Sequence, residues 1–526
     1  MARVLIADTL AKQGIEMLSK EHDVEVKTGL SEDALIEAVA GVQALVVRSQ
    51  TQVTERVIAA ATSLEVIGRA GVGVDNIDVE AATRHGVIVV NAPLANTLST
   101  AEHAFGLMLA TARNIPQGHA SLQAGRWDRN KYMGVELAGK TLGVVGLGRI
   151  GTEVANRARA FQMRIVAYDP FVSPERAATL GVELMDLDGV LAESDFVTLH
   201  ALLHEGTRNL INAERLAKAK PGIRIINAAR GALIDEQALF DAVESGQVAG
   251  AGLDVFSEEP AVGNILTTSD KIVVTPHLAA STGEAQDRAA VDTAEQVLDV
   301  LAGRSARFAV NAPLVDPETM AIIGPYLDAA DLAGRLAAQL AGGPVQQVRV
   351  QLLGEIGTHE PGPLRTAVIG GLLARVSDAK VTVVNADQLA EQAGLRLEIE
   401  SGPARDPYTS LVVVQAAMAD GVRSVAATHT SNGVRVVGID DYTVEISPNA
   451  APHAVMVENV DRPGMIGRVG GLLGGNNVNI AYMSVGAGNG ERALMVLGTD
   501  RELNEQEIGE LTAFENVFSA RQLDLE

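Results

Sequence analysis

The stretch TLGVVGLGRIGTEVANRARAFQMRIVAYDP, residues 141–170, joins an apolar run to a glycine-rich turn and an amphipathic segment. Its three glycines, Gly146, Gly148 and Gly151, have the spacing G-x-G-x-x-G. A second apolar run ends at Asp169, 18 residues after the last glycine. In a strand–turn–helix–strand unit these glycines permit a tight turn, close approach of a pyrophosphate and close helix packing, and the acidic residue accepts hydrogen bonds from a ribose. The stretch therefore predicts a Rossmann-like, dinucleotide-binding domain.

Asp169 also distinguishes between the two nicotinamide dinucleotides. Its negative charge would repel the 2′-phosphate of NADP, so the sequence favours NAD. The alternative is a glycine-rich turn without a ligand, which the complete strand–turn–helix–strand context disfavours. No metal site is predicted. The predicted cofactor contacts are Gly146, Gly148, Arg149, Ile150, Gly151, Asp169, Ala201, Ala228, Arg230, Asp254, His277 and Ala280.

Composition excludes several classes of function. The chain has 526 residues, too many for one hydrophobic core, and a formal net charge of −24. That charge disfavours nucleic acid and anionic membranes as partners, because the mean field repels them. The absence of cysteine excludes disulfides, thiolate zinc sites and cysteine nucleophiles. No apolar stretch is long enough for a signal peptide or a membrane span, so we expect a cytoplasmic protein.

Ten short apolar runs lie between residues 4 and 277, with amphipathic segments between them. They are rich in Val, Ile and Leu without polar alternation, which is typical of parallel strands buried on both faces. The runs are 4–8, 44–49, 66–71, 87–92, 141–148, 164–169, 196–200, 224–230, 250–256 and 271–277. Because this number exceeds one mononucleotide-binding half, we predict two α/β domains, each a doubly wound parallel sheet with helices on both sides.

Two Ser-x-x-Glu patterns, Ser99 to Glu102 and Ser281 to Glu284, resemble capping boxes at the start of long helices. We therefore place the crossovers between the two domains near residues 96 and 284. The first domain is then discontinuous, and the predicted ranges are 1–95 with 284–305 for the first domain and 96–283 for the cofactor domain.

The sequence changes in character after about residue 305. A linker, 311–319, leads into an α+β region over 318–448 that mixes helices with alternating strands. A second linker, 447–453, precedes the last segment, 453–526. There the order β-α-β-β-α-β predicts a small ferredoxin-like module.

Three arginines, Arg48, Arg69 and Arg230, each end an apolar run. In open parallel sheets, ligands bind beyond the carboxyl ends of the strands. Guanidinium groups bind carboxylates and phosphates in a two-pronged fork. The three arginines therefore predict a substrate with more than one negative charge, and Gly231 would let the backbone turn beside it.

His277 ends another run, and Glu259 follows the run 250–256. A histidine can exchange a proton near neutral pH, and a neighbouring carboxylate favours its protonated form and fixes the ring. Asp254 could hydrogen-bond the nicotinamide amide. Taken singly, each of these residues is more typical of a structural or surface role, and Glu258 is a rival of Glu259. Their joint occurrence at strand ends favours a redox site.

At these residues the sequence resembles the D-isomer-specific 2-hydroxyacid dehydrogenases, over residues 1 to about 305. The motifs are GLGRIG, NAARGALID, LDVFSEEP, TPHLAAST and the substrate loop RAGVGVDNID (69–78). The resemblance implies Arg230, Glu259 and His277 as the catalytic set. It also implies that the substrate loop, with Gly71 and Gly73, binds the carboxylate end of the substrate. Ala279 stands where many relatives have glycine.

The tail resembles the long-form members of this family, which carry an intervening domain and a C-terminal ACT module. ENVDRPGMIGRVGGLLGGNNVNIAYM (458–483) is similar to an effector-binding segment. The resemblance implies effector contacts at Asn459, Asp461 and Asn479, with Asn459 where relatives often have an aromatic residue or histidine. WDRNKYMG (127–134) resembles a segment that adds phosphate-binding charge, which implies Arg129 and Lys131.

The implied activity is NAD-dependent oxidation of 3-phosphoglycerate, with L-serine as effector and self-association into a homotetramer. One alternative is a related reductase acting on glyoxylate, hydroxypyruvate or 2-oxoglutarate, which would need fewer strand-end arginines. Another is a dinucleotide-sensing regulatory protein without significant turnover, against which His277 and Glu259 argue.

Overall fold

The structure is a computed structural model that describes residues 1–313, 315–343, 345–376, 381–418, 421–488 and 491–525. The predicted linker 311–319 and both predicted C-terminal domains include residues outside these ranges. Within the described part of the chain, no helix has the length and apolar character needed to cross a membrane.

The N-terminal sheet has five parallel strands in the order β2-β1-β3-β4-β5. Its strands are β1 (Arg3–Ile6), β2 (Asp23–Val26), β3 (Ala44–Val47), β4 (Val66–Arg69) and β5 (Ile88–Asn91), and its helices are α1 (Lys12–Ser19), α2 (Glu32–Ala38), α3 (Glu55–Ala60) and α4 (Val79–Arg84). The strand order reverses between β1 and β3. Ligands bind at such switch points, beyond the carboxyl ends of the strands.

A second parallel sheet follows, with seven strands in the order β12-β11-β10-β9-β6-β7-β8. Its strands are β6 (Thr141–Val145), β7 (Arg164–Tyr168), β8 (Glu183–Leu184), β9 (Phe196–Leu199), β10 (Ile223–Asn227), β11 (Val248–Leu253) and β12 (Ile272–Val274). Its helices are α5 (Thr97–Arg113), α6 (Ile115–Gln123), α7 (Arg149–Ala160), α8 (Pro174–Thr179), α9 (Leu187–Glu193), α10 (Ala213–Lys218) and α11 (Glu236–Ser245). The switch point lies between β6 and β9, at the glycine turn.

Helix α12 (Gly283–Leu301) returns to the N-terminal sheet and packs against α1 and β4. The approach is close enough to need glycines. A Cβ on Gly14 of α1 would lie 2.8 Å from the carbonyl oxygen of Ala290, and one on Gly68 of β4 would lie 2.7 Å from the Thr293 side chain. The domain ranges proposed from the sequence remain predictions.

The two predicted capping boxes are wrong. Helix α5 begins at Thr97, so Ser99 lies inside it, and the Ser99 hydroxyl is 2.8 Å from that of Thr282. Helix α12 begins one residue later than the pattern implies, because Thr282 is the N-cap and its side chain accepts a hydrogen bond from the Ala285 amide.

The third unit is a mixed six-stranded sheet in the order β14-β13-β15-β16-β17-β18, covered by helices. Its strands are β13 (Gln347–Gly354), β14 (Arg396–Gly402), β15 (Ser410–Met418), β16 (Gly421–Thr430), β17 (Gly433–Ile439) and β18 (Tyr442–Ile446), and its helices are α13 (Pro317–Ile323), α14 (Leu327–Ala341), α15 (Gly362–Leu373) and α16 (Ala386–Gln392).

The last unit is an antiparallel four-stranded sheet in the order β20-β21-β19-β22 with two helices. Its elements are β19 (His453–Val460), α17 (Met465–Gly475), β20 (Ile480–Ala487), β21 (Arg492–Thr499), α18 (Glu505–Thr512) and β22 (Val517–Asp524). This is the ferredoxin-like arrangement. The predicted fold class is confirmed: two Rossmann-like parallel-sheet domains, an α+β domain and a ferredoxin-like module.

The four-stranded sheet buries both of its faces. Val455 and Val457 face α17 and α18, in a core that belongs to this module. Met456 and Leu494 point the other way, into a core formed together with α14 and the six-stranded sheet, which we call the shared core. At the edge of this contact, the Gln339 side chain donates to the carbonyl oxygen of Asp524 and accepts from its amide, both at 2.9 Å. The last two units are therefore packed as one body.

Candidate active site

The three glycines after β6 meet three different steric demands. Gly146 has φ +92°, and a Cβ there would lie 2.7 Å from the backbone of His200. A Cβ on Gly151 would lie 2.1 Å from the carbonyl oxygen of Gly146. Gly148 is the N-cap of α7, and a Cβ there would meet nothing within 4 Å. Gly146 and Gly151 let the turn close. Gly148 leaves an open surface at a helix N-terminus, where phosphates bind.

Asp169 lies at the end of β7, beside this turn. Its Oδ2 accepts a hydrogen bond of 2.8 Å from the Leu147 amide, and its Oδ1 accepts one of 2.9 Å from the Phe171 amide. Each carboxylate oxygen can accept a further bond, so the side chain can still receive ribose hydroxyls. Arg149 is exposed and Ile150 half-buried on the first turn of α7. These residues and the open glycine turn fit NAD.

His277 and Glu259 form a direct pair. The His277 Nδ1 is 2.7 Å from the Glu259 Oε2, and the Glu259 Oε1 accepts a 3.1 Å hydrogen bond from the Phe256 amide. The histidine is half-exposed and the carboxylate is anchored, so the ring stays accessible in one orientation. The structure thus pairs the histidine with Glu259 rather than with its neighbour Glu258.

Arg230 reaches from the end of β10 to the loop after β4. Its Nη1 donates to the carbonyl oxygen of Ala229 at 2.8 Å, and its Nη2 is 3.2 Å from the Asp75 Oδ2. A Cβ on Gly73 would lie 2.3 Å from that Nη2, so only glycine admits the guanidinium there. Gly231 is needed for a similar reason, since its Cβ would lie 1.9 Å from the carbonyl carbon of Phe256. The arginine therefore bridges the two parallel-sheet units.

Arg48, Arg69 and Arg230 converge. Burial lowers the pKa of Arg69 to about 10, and the positive charges of Arg48 and Arg230 act in the same direction. Its Nε is buried and has no hydrogen-bond partner among the described residues. The side chain folds over Gly71, which has φ +154° and where a Cβ would lie 1.5 Å from the Arg69 Nη1. Like charges held together with an unused donor form a site for an anion.

Two residues that sequence reasoning missed order this anion site. Asp8, buried at the end of β1, accepts hydrogen bonds from the Arg48 amide at 2.6 Å and from the Thr51 hydroxyl at 2.8 Å. The Asn76 amide donates to the carbonyl oxygens of Arg48 and Thr51 at 2.7 and 2.6 Å. Asp8 ends the first apolar run, a strand-end position like that of the predicted arginines, and this was the available signal.

Asp254 is fully buried at the end of β11. Burial by itself would raise its pKa, but hydrogen bonds from His103, Thr275 and the amides of Leu278 and Ala279 outweigh that effect and lower the pKa. The carboxylate is thus engaged in the turn that carries the active-site histidine. Its contact with the nicotinamide amide stays a prediction. The other predicted cofactor contacts are Ala201, beside the Gly146 turn, Ala228, which is buried, and Ala280, which is half-buried.

Arg129 and Lys131 are exposed on the segment between α6 and β6. The Lys131 ammonium lies 5.6 Å from the centre of the Tyr132 ring. Their phosphate-binding role stays a prediction.

The structure does not bring the three predicted effector residues together. Asn459 and Asp461 lie at the C-terminal end of β19, whereas Asn479 lies level with the other end, His453, where its amide donates to Asp500. Asn459 is 2% exposed; its Nδ2 donates to the carbonyl oxygen of Val460, and its Oδ1 has no partner among the described residues. Asp461 is exposed, and its amide donates to Glu491. Asn479 is also exposed. An unpartnered buried carbonyl oxygen is costly, which is consistent with a ligand donor at this position.

Three family models match the chain. D-isomer specific 2-hydroxyacid dehydrogenase, NAD binding domain, matches residues 105–279. D-3-phosphoglycerate dehydrogenase intervening domain matches residues 322–440, and ACT domain matches residues 453–516. The matched segments contain the glycine turn, strands β13 to β17 of the six-stranded sheet, and the ferredoxin-like module except its last strand, β22.

Solved structures match over about three fifths of the chain. The TT0316 protein from Thermus thermophilus is 37% identical with a TM-score of 0.55, over 59% of this chain and 99% of that one. A glyoxylate reductase from Paecilomyes thermophila is 33% identical with a TM-score of 0.54, over 59% of this chain and 98% of that one.

Full-length relatives extend the match to the whole chain. The D-3-phosphoglycerate dehydrogenase of Synechocystis sp. is 44% identical, over 100% of this chain and 95% of its own length. That of Archaeoglobus fulgidus is 42% identical, over 99% of this chain and 100% of its own. Because these relatives are 42–44% identical over nearly the full length of both chains, the chain belongs to the D-3-phosphoglycerate dehydrogenase family.

Proposed function

We propose that this protein oxidises 3-phospho-D-glycerate to 3-phosphohydroxypyruvate with NAD, the first committed step of L-serine biosynthesis. The observation that carries the proposal is the position of the His277–Glu259 pair and of three converging arginines at strand ends of two parallel sheets. A proton-transfer group and an anion site together suit a phosphorylated 2-hydroxy acid.

The chain's own groups divide the work. His277 takes the proton of the substrate hydroxyl through Nε2, because Nδ1 is engaged with Glu259. The carboxylate stabilises the imidazolium that forms and keeps the ring oriented. Arg230 holds the substrate carboxylate and polarises the carbonyl that develops. The glycine turn and Asp169 would hold NAD, which would supply the nicotinamide ring as hydride acceptor.

The anion site selects the phosphorylated substrate. Arg48 and Arg69 bind the phosphate end, while the backbone of Arg69 to Gly73 binds the carboxylate end with Arg230. Arg69 is the strongest candidate, since desolvation and like charges make its guanidinium gain most from an added anion. Arg129 is a third candidate for binding the phosphate end of the substrate.

A substrate panel tests the proposal. NADH formation is measured with 3-phosphoglycerate, D-glycerate, glycolate and 2-hydroxyglutarate, and with NADP in place of NAD. We expect the highest kcat/KM for 3-phosphoglycerate with NAD, and Arg69→Gln should lower kcat/KM for that substrate more than for D-glycerate. Equal or better turnover of an unphosphorylated acid would instead identify one of the related reductases.

Matched variants test the catalytic pair. His277→Ala should lower kcat by about 10²- to 10⁴-fold, the usual contribution of general acid–base catalysis. Glu259→Gln should lower kcat as well, whereas Glu258→Gln, the adjacent carboxylate, serves as control and should leave kcat unchanged. A His277→Ala enzyme as active as the wild type would exclude this mechanism.

We also propose that the C-terminal module binds L-serine as a feedback effector and that the chain assembles into a homotetramer. The orphan Oδ1 of Asn459 and the exposed Asp461 support a polar effector site. Serine titration of the wild type, of Asn459→Leu and of Asp461→Asn tests the first proposal, and light scattering tests the second. Serine inhibition that both variants retain in full would place the effector elsewhere.

A further inference from the structure

We propose that His103 is a positioning residue: through Asp254, it holds the turn of residues 275–279 that presents His277. The inference rests on the proposed function only where it concerns turnover. His103 lies on α5, which packs against β11 and β12, the two strands that lead into Asp254 and into the turn 275–279. His103 and Asp254 are 151 residues apart in the sequence.

His103 makes two contacts at the end of β11. Its Nε2 is 3.1 Å from the Asp254 Oδ1 and 3.0 Å from the Thr275 hydroxyl. The Thr275 hydroxyl is in turn 2.6 Å from the same carboxylate oxygen. Three side chains from α5, β11 and the end of β12 thus form one closed cluster.

The protons in this cluster can be assigned. Asp254 has a lowered pKa and four hydrogen-bond donors around it, so it is ionised and only accepts. The Thr275 proton is therefore directed at Asp254, and its oxygen is left to accept. The His103 Nε2 must carry a proton, which it donates to both neighbours. His103 is thus an obligatory donor, and any substitute has to supply one.

Asp254 holds the turn 275–279 by accepting hydrogen bonds from three of its backbone amides. Its Oδ1 accepts the Leu278 amide at 2.7 Å, its Oδ2 accepts the Ala279 amide at 2.8 Å, and its carbonyl oxygen accepts the His277 amide at 2.9 Å. His277 itself has φ +52°, a left-handed conformation that costs a non-glycine residue free energy. Such a backbone persists only where surrounding bonds impose it. The Asp254 cluster supplies those bonds.

The experiment compares two substitutions at one position. His103→Gln keeps an N–H donor at a similar reach, whereas His103→Phe keeps a ring and removes the donor. We expect the phenylalanine variant to lose about 10- to 100-fold in kcat, as a misplaced catalytic group does. The glutamine variant should retain most of kcat. His119→Gln, on the neighbouring helix α6, is the control for loss of a histidine.

Amide exchange supplies a readout that does not depend on turnover. Exchange of the His277, Leu278 and Ala279 amides should accelerate in His103→Phe and stay near wild type in His103→Gln. This distinguishes the two proposals: faster exchange in an enzyme inactive on every substrate would contradict the proposed function and leave the positioning role standing. If His103→Phe does not fold, His103→Asn, whose amide is too short to reach Asp254, replaces it. Unchanged exchange and unchanged kcat in a folded donor-less variant would overturn the inference.

Discussion

Arg69 gives the anion site a pH dependence of its own. Its pKa is lowered to about 10, so it loses its charge as the pH rises through about 10, whereas an arginine with the usual value of 12.5 stays charged. We expect KM for 3-phosphoglycerate to rise above that pH in the wild type. In Arg69→Gln, KM should be higher at neutral pH, and the increase above pH 10 should be smaller. Initial rates across pH 8 to 11 measure both.

Asp75 opposes the same cluster. Asp75 pairs with Arg230 and is largely exposed. Its negative charge raises the pKa of Arg69, which the positive charges of Arg48 and Arg230 lower. Because its carboxylate occupies a donor that the substrate carboxylate needs, Asp75→Asn should lower KM for 3-phosphoglycerate, with a stronger salt dependence because net positive charge increases. A raised KM would indicate that Asp75 orients the arginine rather than competing for it.

At the scale of elements, helix α17 contains more glycine than its fold requires. Added Cβ atoms on Gly467, Gly470 and Gly471 would meet nothing within 4 Å. Gly470→Ala should therefore raise the free energy of unfolding by about 0.5–1 kcal/mol in urea denaturation, through helix propensity alone. The contrasting variant is Gly334→Ala in α14, where a Cβ would lie 2.4 Å from the carbonyl oxygen of Val368, and which should be destabilised.

The elements also mark the limits of prediction from the sequence. The ten predicted strands of the two parallel sheets are present because their side chains are buried on both faces, whereas β2 and β8 were missed. Both lie at sheet edges; β2 is mostly exposed, and β8 has two residues. An apolar pattern cannot reveal such strands.

The candidate site divides in a similar way. Strand-end position was enough to predict Arg48, Arg69, Arg230 and His277 together. Asp75 and His103 act through partners that only the folded chain brings close, since His103 and Asp254 are 151 residues apart. Asp75 lies within the substrate loop 69–78, but nothing in that motif indicates its contact with Arg230, and no local pattern marks His103.

At the scale of the whole molecule, the shared core couples the last two units. Leu494 is 2% exposed within it, so Leu494→Ala should lower the free energy of unfolding by about 2–5 kcal/mol. Hydrogen exchange in α14, which belongs to the other unit, should accelerate as well. Leu473→Ala, in the separate core under α17, is the control and should affect α14 less. Equal effects of both variants on α14 would contradict the coupling.

The second buried face of the four-stranded sheet also decides how this enzyme can be dissected. Truncation before β19 would remove Met456 and Leu494 from their contact with α14 and expose an apolar, aggregation-prone surface. Loss of the serine response in such a truncated protein would therefore say nothing about the effector site. Limited proteolysis should release the two C-terminal units as a single fragment. The ferredoxin-like module is therefore not an independent unit: a fusion to another enzyme would have to include the neighbouring six-stranded sheet and its helices.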